Sequence, residues 1–441
     1  MNNIVVAKFG GTSLADASQI KKVSDIIRSD PSRKFVVVSA PGKRNINDAK
    51  ITDMLYSMHR QFTEGREDVY AETVNRIAGR YRDIISELGI SFNLDEELEA
   101  IREKLSSGVS QDYSASRGEY LNARIIAEFL GWPFVDASEL IHFKDDGSFD
   151  GAATYRNAGE KLQALGHAVI PGFYGVMPDG SIKTFSRGGS DITGSIIACA
   201  VDASLYENWT DVSGMLSADP RIVKAPKVIE YITYTELREL SYMGASVLHE
   251  DAVFPVRKAG IPINIRNTNR PEDKGTLIAA SLPKGTKRSP VTGVAGRKGF
   301  CSIRVEKSQM NGETGFGANL LRIFSKNGIP FEHCPTGIDT ISVIVNGALF
   351  DSRREEILRE IKNELEPDFI TIEKNLAAIA VVGEGMVHMK GTAARVFTAL
   401  AGAGVNVRMI DQGSDELNII VGVDESDYET AINALYSAMI G

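Results

Sequence analysis

The chain has 441 residues, enough for two or three domains with substantial cores. Its net charge of −9, from 49 basic and 58 acidic residues, comes without a long basic block and argues against nucleic acid as the main partner. Three distant cysteines indicate neither a disulfide framework nor a zinc site, so we expect a reducing, cytoplasmic compartment. A polar turn within nine residues of the start predicts no signal peptide, and no apolar stretch is long enough to cross a membrane.

The first sixty residues predict the beginning of a parallel sheet with helices packed on it. An apolar run at residues 4–9 leads into two glycines, and a helix is predicted over about residues 14–29. A second apolar run at residues 35–39 leads into a turn-rich segment and then a helix, for which Thr52 is the predicted N-cap. Continuous apolar strands that alternate with helices are typical of a parallel sheet covered on both faces.

Residues 62–130 are predicted to be almost wholly helical, which is a long insertion for such a domain. Within it, Glu119 lies near a predicted helix start, where a carboxylate suits the helix dipole. Strand and helix patterns resume over residues 167–240, and residues 262–266 resemble a late strand of the same domain. The loop-rich residues 271–290 mark the predicted domain boundary.

The remaining residues contain an internal repeat. A pattern of apolar residues and glycine that begins at Leu321 recurs 76 positions later, at Phe397. Each copy predicts strand, helix, strand, strand and helix, so we expect two duplicated α+β modules. The first copy has a candidate fourth strand at residues 369–372 and the second has none. Residues 291–295 are predicted to fill that edge, because an unpaired edge strand is a liability.

Two glycine-rich turns, each between a strand and a helix, are candidate anion sites. At the first, Lys8 precedes Gly10 and Gly11, and the backbone N–H groups of such a turn can surround a phosphate. A plain turn with a surface lysine is the alternative. At the second, Arg187 precedes two glycines and offers a bidentate fork for a carboxylate or phosphate. Asp191, which follows, could be only a helix cap.

Several other signatures are missing from the sequence. There is no G-x-x-x-x-G-K-[ST] motif, so the chain is not a P-loop enzyme, and lone G-x-G pairs are weak indicators of dinucleotide binding. Neither an H-E-x-x-H motif nor a histidine cluster is present, and we predict no metal site formed by the protein alone.

The combination of motifs resembles the aspartokinases of the amino-acid kinase family. Four segments carry the resemblance: Lys8-Phe9-Gly10-Gly11-Thr12-Ser13, Arg187-Gly188-Gly189-Ser190-Asp191, Thr210-Asp211-Val212 and Asp219-Pro220-Arg221. The tail resembles the paired ACT domains of these enzymes. The implied fold is α/β, an open, mostly parallel sheet between helices, followed by two ferredoxin-like α+β modules. We expect the domains at residues 1–280, 291–375 and 376–441, with residues 291–296 as the fourth strand of the last.

The resemblance implies phosphoryl transfer from Mg-ATP to the β-carboxylate of L-aspartate. It places Lys8 between the phosphates and the attacking carboxylate, with Asp191 orienting Lys8. Arg187 would bind the substrate α-carboxylate and Glu119 its ammonium. The implied assisting groups on the substrate are Ser39, Thr52 and Ser190. Mg²⁺ would arrive with the phosphates of ATP.

The nucleotide side is implied in the same way. Its residues would be Lys8, Gly10, Gly11, Thr210, Asp211, Leu216 and Arg221. This chain departs from the family pattern at three positions, where the family often has an acidic residue, a tyrosine and a lysine: Ser213, Leu216 and Ser246.

The ACT resemblance implies feedback control by an amino acid bound at a subunit interface. The matching residues are Met310, Gly315, Phe316, Glu332, Thr336 and Asp339. Glu332 falls where lysine-inhibited relatives carry an acid that faces the effector's ammonium, so L-lysine is favoured over threonine. We expect a homodimer through the ACT domains, or further pairing into a tetramer. The alternatives are a kinase for another carboxylate, such as glutamate, and a catalytically dead amino-acid-binding regulator.

Overall fold

The computed structural model describes residues 3–186, 188–245, 248, 250–282, 285 and 289–441. The chain forms two compact units. Unit 1 comprises Met1–Met215, Glu230–Tyr234 and Val247–Leu282. Unit 2 comprises Leu216–Ile229, Thr235–Ser246 and Pro283–Gly441. No helix in the described part of the chain combines the length and apolar character needed to cross a bilayer.

The described residues form fifteen strands and thirteen α-helices. The strands are β1 (Val5–Phe9), β2 (Arg33–Val38), β3 (Ala168–Pro171), β4 (Tyr174–Val176), β5 (Ile182–Thr184), β6 (Leu205–Thr210), β7 (Tyr231–Thr233), β8 (Ile263–Asn267), β9 (Thr276–Ala279), β10 (Gly293–Glu306), β11 (Phe331–His333), β12 (Thr340–Asn346), β13 (Phe369–Val382), β14 (Met409–Asp411) and β15 (Asn418–Asp424). The helices are α1 (Ala17–Arg28), α2 (Ile51–Thr63), α3 (Glu67–Leu88), α4 (Leu94–Ser106), α5 (Gln111–Leu130), α6 (Gly151–Leu165), α7 (Gly189–Ala200), α8 (Tyr234–Tyr242), α9 (Glu250–Ala259), α10 (Phe316–Lys326), α11 (Gly347–Leu365), α12 (Thr392–Gly402) and α13 (Tyr428–Met439).

Unit 1 is built on a seven-stranded sheet in the order β3-β2-β1-β6-β8-β9-β7. All neighbouring strands run parallel except β8 and β9, which are antiparallel. Every residue of β1 is buried, which explains the continuous apolar run seen in the sequence, since both faces of the strand are covered. The mostly parallel α/β fold predicted for this region is confirmed, and the late strand predicted at residues 262–266 is β8.

The helical insertion predicted over residues 62–130 is present as the end of α2 and helices α3, α4 and α5. Two predictions about single residues in and next to this region were wrong. Helix α2 begins one residue before Thr52 and has Lys50 as its N-cap, so Thr52 is not the cap. Glu119 lies in the middle of α5 rather than near its start, because that helix begins at Gln111 after an N-cap at Ser110.

The first predicted helix also begins later than its apolar pattern indicated. A short 3₁₀ turn, Gly11–Leu14, follows β1, and helix α1 starts only at Ala17. The delay has a local cause, because the Asp16 side chain accepts a hydrogen bond from the N–H of Gln19 at 3.0 Å and so forms the N-cap.

Unit 2 contains a six-stranded antiparallel sheet in the order β11-β12-β10-β13-β15-β14. The predicted order of elements is present in both repeats, and helices α10 and α12 begin 76 residues apart, at Phe316 and Thr392. Strands β10 and β13 each span 14 residues and pass through both repeats. Residues 293–297 of β10 pair with residues 378–382 of β13, at the start of the second repeat.

Each repeat of unit 2 has its own apolar core. The first is formed by residues of β10, α10, β12 and α11, with Phe324 and Phe350 among its fully buried side chains. The second is formed by residues of β13, α12, β15 and α13. Two separate cores are what a duplicated α+β module requires, because each helix pair covers only its own part of the sheet.

Candidate active site

Lys8 lies near the carboxyl end of the central strand β1 and is 7% exposed. Its Nζ is 2.5 Å from Oδ1 of Asp191. The same Asp191 oxygen accepts a hydrogen bond at 2.7 Å from Nδ2 of Asn208, which lies opposite Lys8 on the neighbouring strand β6. A buried ammonium is costly unless its charge is matched. The structure therefore brings together Lys8 and Asp191, which the sequence places 183 residues apart.

Asp191 is held in place by both its carboxylate and its backbone. It lies in the first turn of α7, where the helix dipole favours a negative charge. The Tyr206 hydroxyl donates a hydrogen bond to its backbone carbonyl at 3.0 Å. The aspartate is therefore fixed relative to both β6 and α7, and it can fix the lysine ammonium in turn.

The glycines after β1 are needed for close approach between backbone segments. The Gly10 N–H donates to the carbonyl of Trp209 at 3.0 Å, and the Gly42 N–H donates to the carbonyl of Gly11 at 2.8 Å. A Cβ on Gly11 would lie 3.0 Å from the carbonyl oxygen of Ala40, and one on Gly42 would lie 2.5 Å from the Gly11 carbonyl carbon. The loops after β1 and β2 therefore pack against each other beside Lys8.

Glu119 is a buried acid beside this region. It is 5% exposed on α5, and within the described part of the chain its Oε2 atom has no hydrogen-bond partner. Burial raises the pKa of Glu119 to about 8, although a hydrogen bond from the Ala40 backbone and the charges of Arg117 and Lys8 act in the opposite direction. A cationic ligand group would satisfy this carboxylate.

Close packing brings Glu119 to this position. A Cβ on its neighbour Gly118 would lie 2.8 Å from Cβ of Ala40 and 3.1 Å from a methyl group of Leu55. Helix α5 can therefore pack tightly on the loop after β2 and on α2 only because residue 118 is glycine.

The other predicted substrate residues are found on three different elements. Ser39 follows β2, and its backbone is held by Phe9 and by the Asn122 side chain. Thr52 is the second residue of α2 and is half-buried. Ser190 is buried in the first turn of α7, next to Asp191. Arg187 lies outside the described residues.

The predicted nucleotide residues are divided between the units. In unit 1, Thr210 ends β6 and its carbonyl accepts from the Thr268 N–H at 2.9 Å, while Asp211 is exposed. In unit 2, Leu216 forms a bridge with Val228, and Arg221 is exposed and paired with Asp219. Two further positions are those where this chain departs from the family pattern. The Ser213 hydroxyl donates a hydrogen bond to the Asp273 carboxylate at 2.5 Å, and Ser246 lies outside the described residues.

Two features of this region were missed at the level of sequence. Asn208 is 3% exposed, and its only signal was an amide side chain within the buried run of β6. Phe173 has a φ of 83°, a strained value for a residue other than glycine, and this could not be read from its identity. A Cβ on Gly189 would lie 2.5 Å from the Phe173 ring, so the strained residue packs against the start of α7.

The predicted effector residues all lie in the first repeat of unit 2. Met310 and Phe316 are buried in its core, and Gly315, with φ of 92°, precedes α10. Glu332 lies on β11, where its carboxylate accepts a hydrogen bond from the Tyr242 hydroxyl. Thr336 and Asp339 are exposed in the following loop.

Lys307 links the two parts of this predicted effector region. Its carbonyl accepts from the Met310 N–H at 3.1 Å, and its own N–H donates to the carbonyl of Asp339 at 3.0 Å. The turn before α10 and the loop before β12 are therefore neighbours, as a shared site requires.

Two family models match the chain. The model of the amino acid kinase family matches residues 3–267, which include the whole Lys8 region. A model of the ACT domain matches residues 379–439, in the second repeat. Together they define a kinase domain for amino acids followed by an ACT region.

Individual relatives show which kind of amino acid kinase the chain resembles. Aspartokinase 3 of Bacillus subtilis is 41% identical over 98% of this chain and 97% of its own length. The crystal structure of Clostridium acetobutylicum aspartate kinase superposes with a TM-score of 0.90 at 49% identity, covering 99% and 100% of the two chains. The crystal structure of Escherichia coli aspartokinase III in complex with aspartate and ADP superposes with a TM-score of 0.74 at 26% identity, covering 100% of both chains. The chain belongs to the aspartokinases of the amino acid kinase family and is an aspartate kinase.

Proposed function

We propose that this enzyme transfers the γ-phosphoryl group of ATP to the β-carboxylate of L-aspartate. The product would be 4-phospho-L-aspartate, at the first step of lysine, threonine and methionine synthesis. The observation that carries the proposal is the buried Lys8–Asp191 pair beside the glycine loop after β1. Glu119 lies near it, and its Oε2 atom has no hydrogen-bond partner among the residues that the structure describes. The complex of E. coli aspartokinase III with aspartate and ADP supports the choice of substrates.

The reaction mainly requires that two anions be brought together and their charge neutralised. A carboxylate oxygen of aspartate attacks the γ-phosphorus, and the bond from that phosphorus to the bridging oxygen of ADP breaks. The Lys8 ammonium would lie between the attacking carboxylate and the phosphates. Asp191 and Asn208 would keep it there, since both are already hydrogen-bonded in this arrangement. We assign Mg²⁺ to the phosphates of ATP, where it would neutralise further charge.

We propose that Glu119 binds the substrate ammonium and that Arg187 binds its α-carboxylate. Assisting contacts would come from Ser39, Thr52 and Ser190. Opposite charges at opposite ends of the site would favour an amino acid over a simple diacid. The buried Oε2 of Glu119 has no hydrogen-bond partner within the described ranges. This supports the assignment, because such an atom gains most from an incoming hydrogen-bond donor.

For the nucleotide we propose contacts from the loop after β1 and from the end of β6. The residues are Lys8, Gly10, Gly11, Thr210 and Asp211. Leu216 and Arg221 belong to unit 2 and stay predictions from sequence. Among the described residues, no group of three or more His, Cys, Asp or Glu side chains could hold a metal ion.

We also propose feedback inhibition by L-lysine at the first repeat of unit 2. Glu332 would face the effector's side-chain ammonium, with Met310, Gly315, Phe316, Thr336 and Asp339 around the ligand. The structure of E. coli aspartokinase III in complex with lysine and aspartate supports this choice of effector. The proposed domains stay at residues 1–280, 291–375 and 376–441, with a homodimer formed through the ACT modules.

A hydroxamate assay that offers each acid with ATP tests the substrate. Aspartate should yield the acyl hydroxamate, whereas glutamate and N-acetylglutamate should give little. Phosphorylation of glutamate but not aspartate would reject the proposal. Absence of turnover with every acid, together with intact lysine binding, would instead favour a catalytically dead regulator.

A further inference from the structure

Arg80 is a buried cation that the mechanism above does not use. It lies on α3, in the helical insertion, and is 5% exposed. Its Nη2 donates to the carbonyl of Gly42 at 2.8 Å and to that of Ala15 at 3.2 Å. Its Nη1 donates to Oδ2 of Asp48 at 2.9 Å and to the carbonyl of Ala49 at 3.3 Å. One guanidinium therefore bonds to four residues.

These four residues come from the segments that border the active site. Ala15 follows the 3₁₀ turn after β1, so it is connected directly to the loop of Gly10 and Gly11. Gly42 belongs to the loop after β2, three residues beyond Ser39. Ala49 comes just before α2, the helix that carries Thr52.

The Asp48 carboxylate completes the arrangement. Its Oδ2 also accepts hydrogen bonds from Nε of Arg44 at 3.0 Å and from the Arg44 backbone N–H at 3.1 Å. Burial alone would raise the pKa of Asp48, but the hydrogen bonds from Arg44 and the charges of Arg80 and Arg44 hold it at about 2. The carboxylate therefore stays charged at working pH and compensates the buried guanidinium.

Only arginine can make this set of contacts. Its planar group directs two nitrogens toward acceptors on different segments, whereas a lysine ammonium is a compact point charge on a flexible stem. The direct bond between the two loops, from the Gly42 N–H to the Gly11 carbonyl, is a single hydrogen bond at 2.8 Å. Arg80 joins the same loops a second time and adds the start of α2.

We propose, on the basis of the aspartate-phosphorylating function proposed above, that Arg80 is a positioning residue for the reaction. Its guanidinium sets the spacing between the loop after β1, which carries the phosphate side of the site, and the loop after β2, which carries Ser39. Displacement of reacting groups by about 1 Å can cost on the order of a hundredfold in rate. The effect of Arg80 on catalysis is therefore indirect, through the geometry of these loops.

The test compares Arg80→Lys with Arg82→Gln, a change at an exposed arginine on the same helix that pairs with Asp95. We expect Arg80→Lys to lower kcat roughly 10- to 100-fold and to raise KM for aspartate, while Arg82→Gln stays close to wild type. Arg80→Ala should recover part of its lost kcat when guanidinium ion is added at low millimolar concentration. Wild-type kcat and KM in a folded Arg80→Lys protein would overturn the proposal.

Limited trypsin digestion gives a second readout that needs no activity. Lys43 and Arg44 are exposed tryptic sites in the loop that Arg80 holds. Cleavage there should be at least several-fold faster in Arg80→Lys than in wild type or Arg82→Gln. An unchanged cleavage rate would overturn the loop-positioning role even if the substrate proposal holds. If cleavage is faster in Arg80→Lys but the wild-type enzyme fails to phosphorylate aspartate, the substrate proposal alone would be rejected.

If Arg80→Lys does not fold, Asp48→Asn serves as the second variant. It keeps the guanidinium and its carbonyl acceptors but removes the compensating charge. The expected result is the same pattern of lower kcat and faster cleavage after Lys43 and Arg44. Wild-type values for both measurements would overturn the proposal.

Discussion

At the scale of single residues, the site depends on charges held in a buried setting. The Lys8 ammonium forms an ion pair with Asp191, whereas one carboxyl oxygen of Glu119 has no hydrogen-bond partner among the described residues. The first pair is formed in the free enzyme, whereas the proposed function gives the second group its partner only when the substrate ammonium binds. This difference leads to separate predictions for the two residues.

Replacement of Lys8 by methionine should lower kcat by about two to three orders of magnitude. The substitution keeps most of the side-chain volume but removes the charge between two anions, and losing one such interaction costs about 3–4 kcal/mol, or 10²–10³ in kcat. The matched control is Lys258→Met, at an exposed lysine on α9. Effector binding, followed as a lysine-induced shift in thermal unfolding, should persist. Wild-type turnover in Lys8→Met would refute the role given to this lysine.

Binding of aspartate near pH 7 should release protons through Glu119. The pKa of this buried acid is about 8 in the free protein, so it is mostly protonated at pH 7. A bound ammonium favours the charged carboxylate and lowers the pKa, which releases up to about one proton per site. By the same linkage, affinity should rise between pH 6 and pH 8, by at most about tenfold per pH unit.

Calorimetry in two buffers of different ionisation enthalpy measures this proton release. The control is Glu119→Gln, which is nearly isosteric and cannot ionise, so its binding should release close to no protons. An equal release from wild type and Glu119→Gln would assign the proton to another group.

At the scale of secondary structure elements, the start of α7 is set by contacts with the segment after β3. A Cβ on Gly172 would lie 2.6 Å from Cβ of Ser190, and Ser190 precedes Asp191. Real side chains do not approach this closely, so any substitution at Gly172 must move one of the two segments. The carboxylate that orients Lys8 would move with α7.

Gly172→Ala should therefore lower both stability and activity. Overpacking of this kind costs about 1–3 kcal/mol, and the shift of Asp191 should reduce kcat roughly tenfold. The control is Gly79→Ala on α3, where a Cβ meets nothing within 4 Å. That change should stabilise the unit by about 0.5–1 kcal/mol and leave kcat unchanged.

Urea unfolding followed by tryptophan fluorescence suits this comparison. Both tryptophans, Trp132 and Trp209, lie in unit 1, so the signal reports on the unit that carries the changes. Wild-type kcat in Gly172→Ala would show that α7 tolerates the extra methyl without moving Asp191.

At the scale of the whole molecule, the Lys8 region and the proposed effector site belong to separately built units. Unit 1 carries the Lys8 region on a parallel sheet, and unit 2 carries two repeats that share the long strands β10 and β13. Because both strands pass through both repeats, a change in one repeat can be transmitted to the other through continuous backbone. Lysine would shift an equilibrium between two states, as allosteric control requires.

Glu332→Gln should weaken lysine inhibition while preserving turnover without lysine. Hydrogen bonds to charged groups contribute about 1.5–3 kcal/mol, so the inhibitory lysine concentration should rise at least tenfold. The control is Glu355→Gln on the exposed side of α11. Activity is titrated against lysine while native mass is recorded, which also distinguishes a dimer from a tetramer. Equal inhibition of Glu332→Gln and the control would remove Glu332 from the effector site.

The fold class and the internal repeat were predictable from the order of the residues. Strands β1 and β2 were visible as continuous apolar runs. The apolar residues of helices α10 and α12 recurred at a fixed spacing along the chain. These patterns are local, since each depends on which faces of one element are buried. The glycine turns near Lys8 and Arg187 were visible for the same reason, although their chemistry stayed open until the family resemblance was considered.

Contacts between distant residues, by contrast, depend on how the elements pack in three dimensions. Asn208 faces Lys8 because of the register between β1 and β6, and Arg80 reaches Gly42 because α3 packs beside the loops. Glu119, interpreted from sequence as a residue near a helix start, proved to be in mid-helix and near the site because Gly118 allows close packing. Such contacts join residues tens to hundreds of positions apart. Strand register and helix packing set them, and periodicity within one element does not encode either.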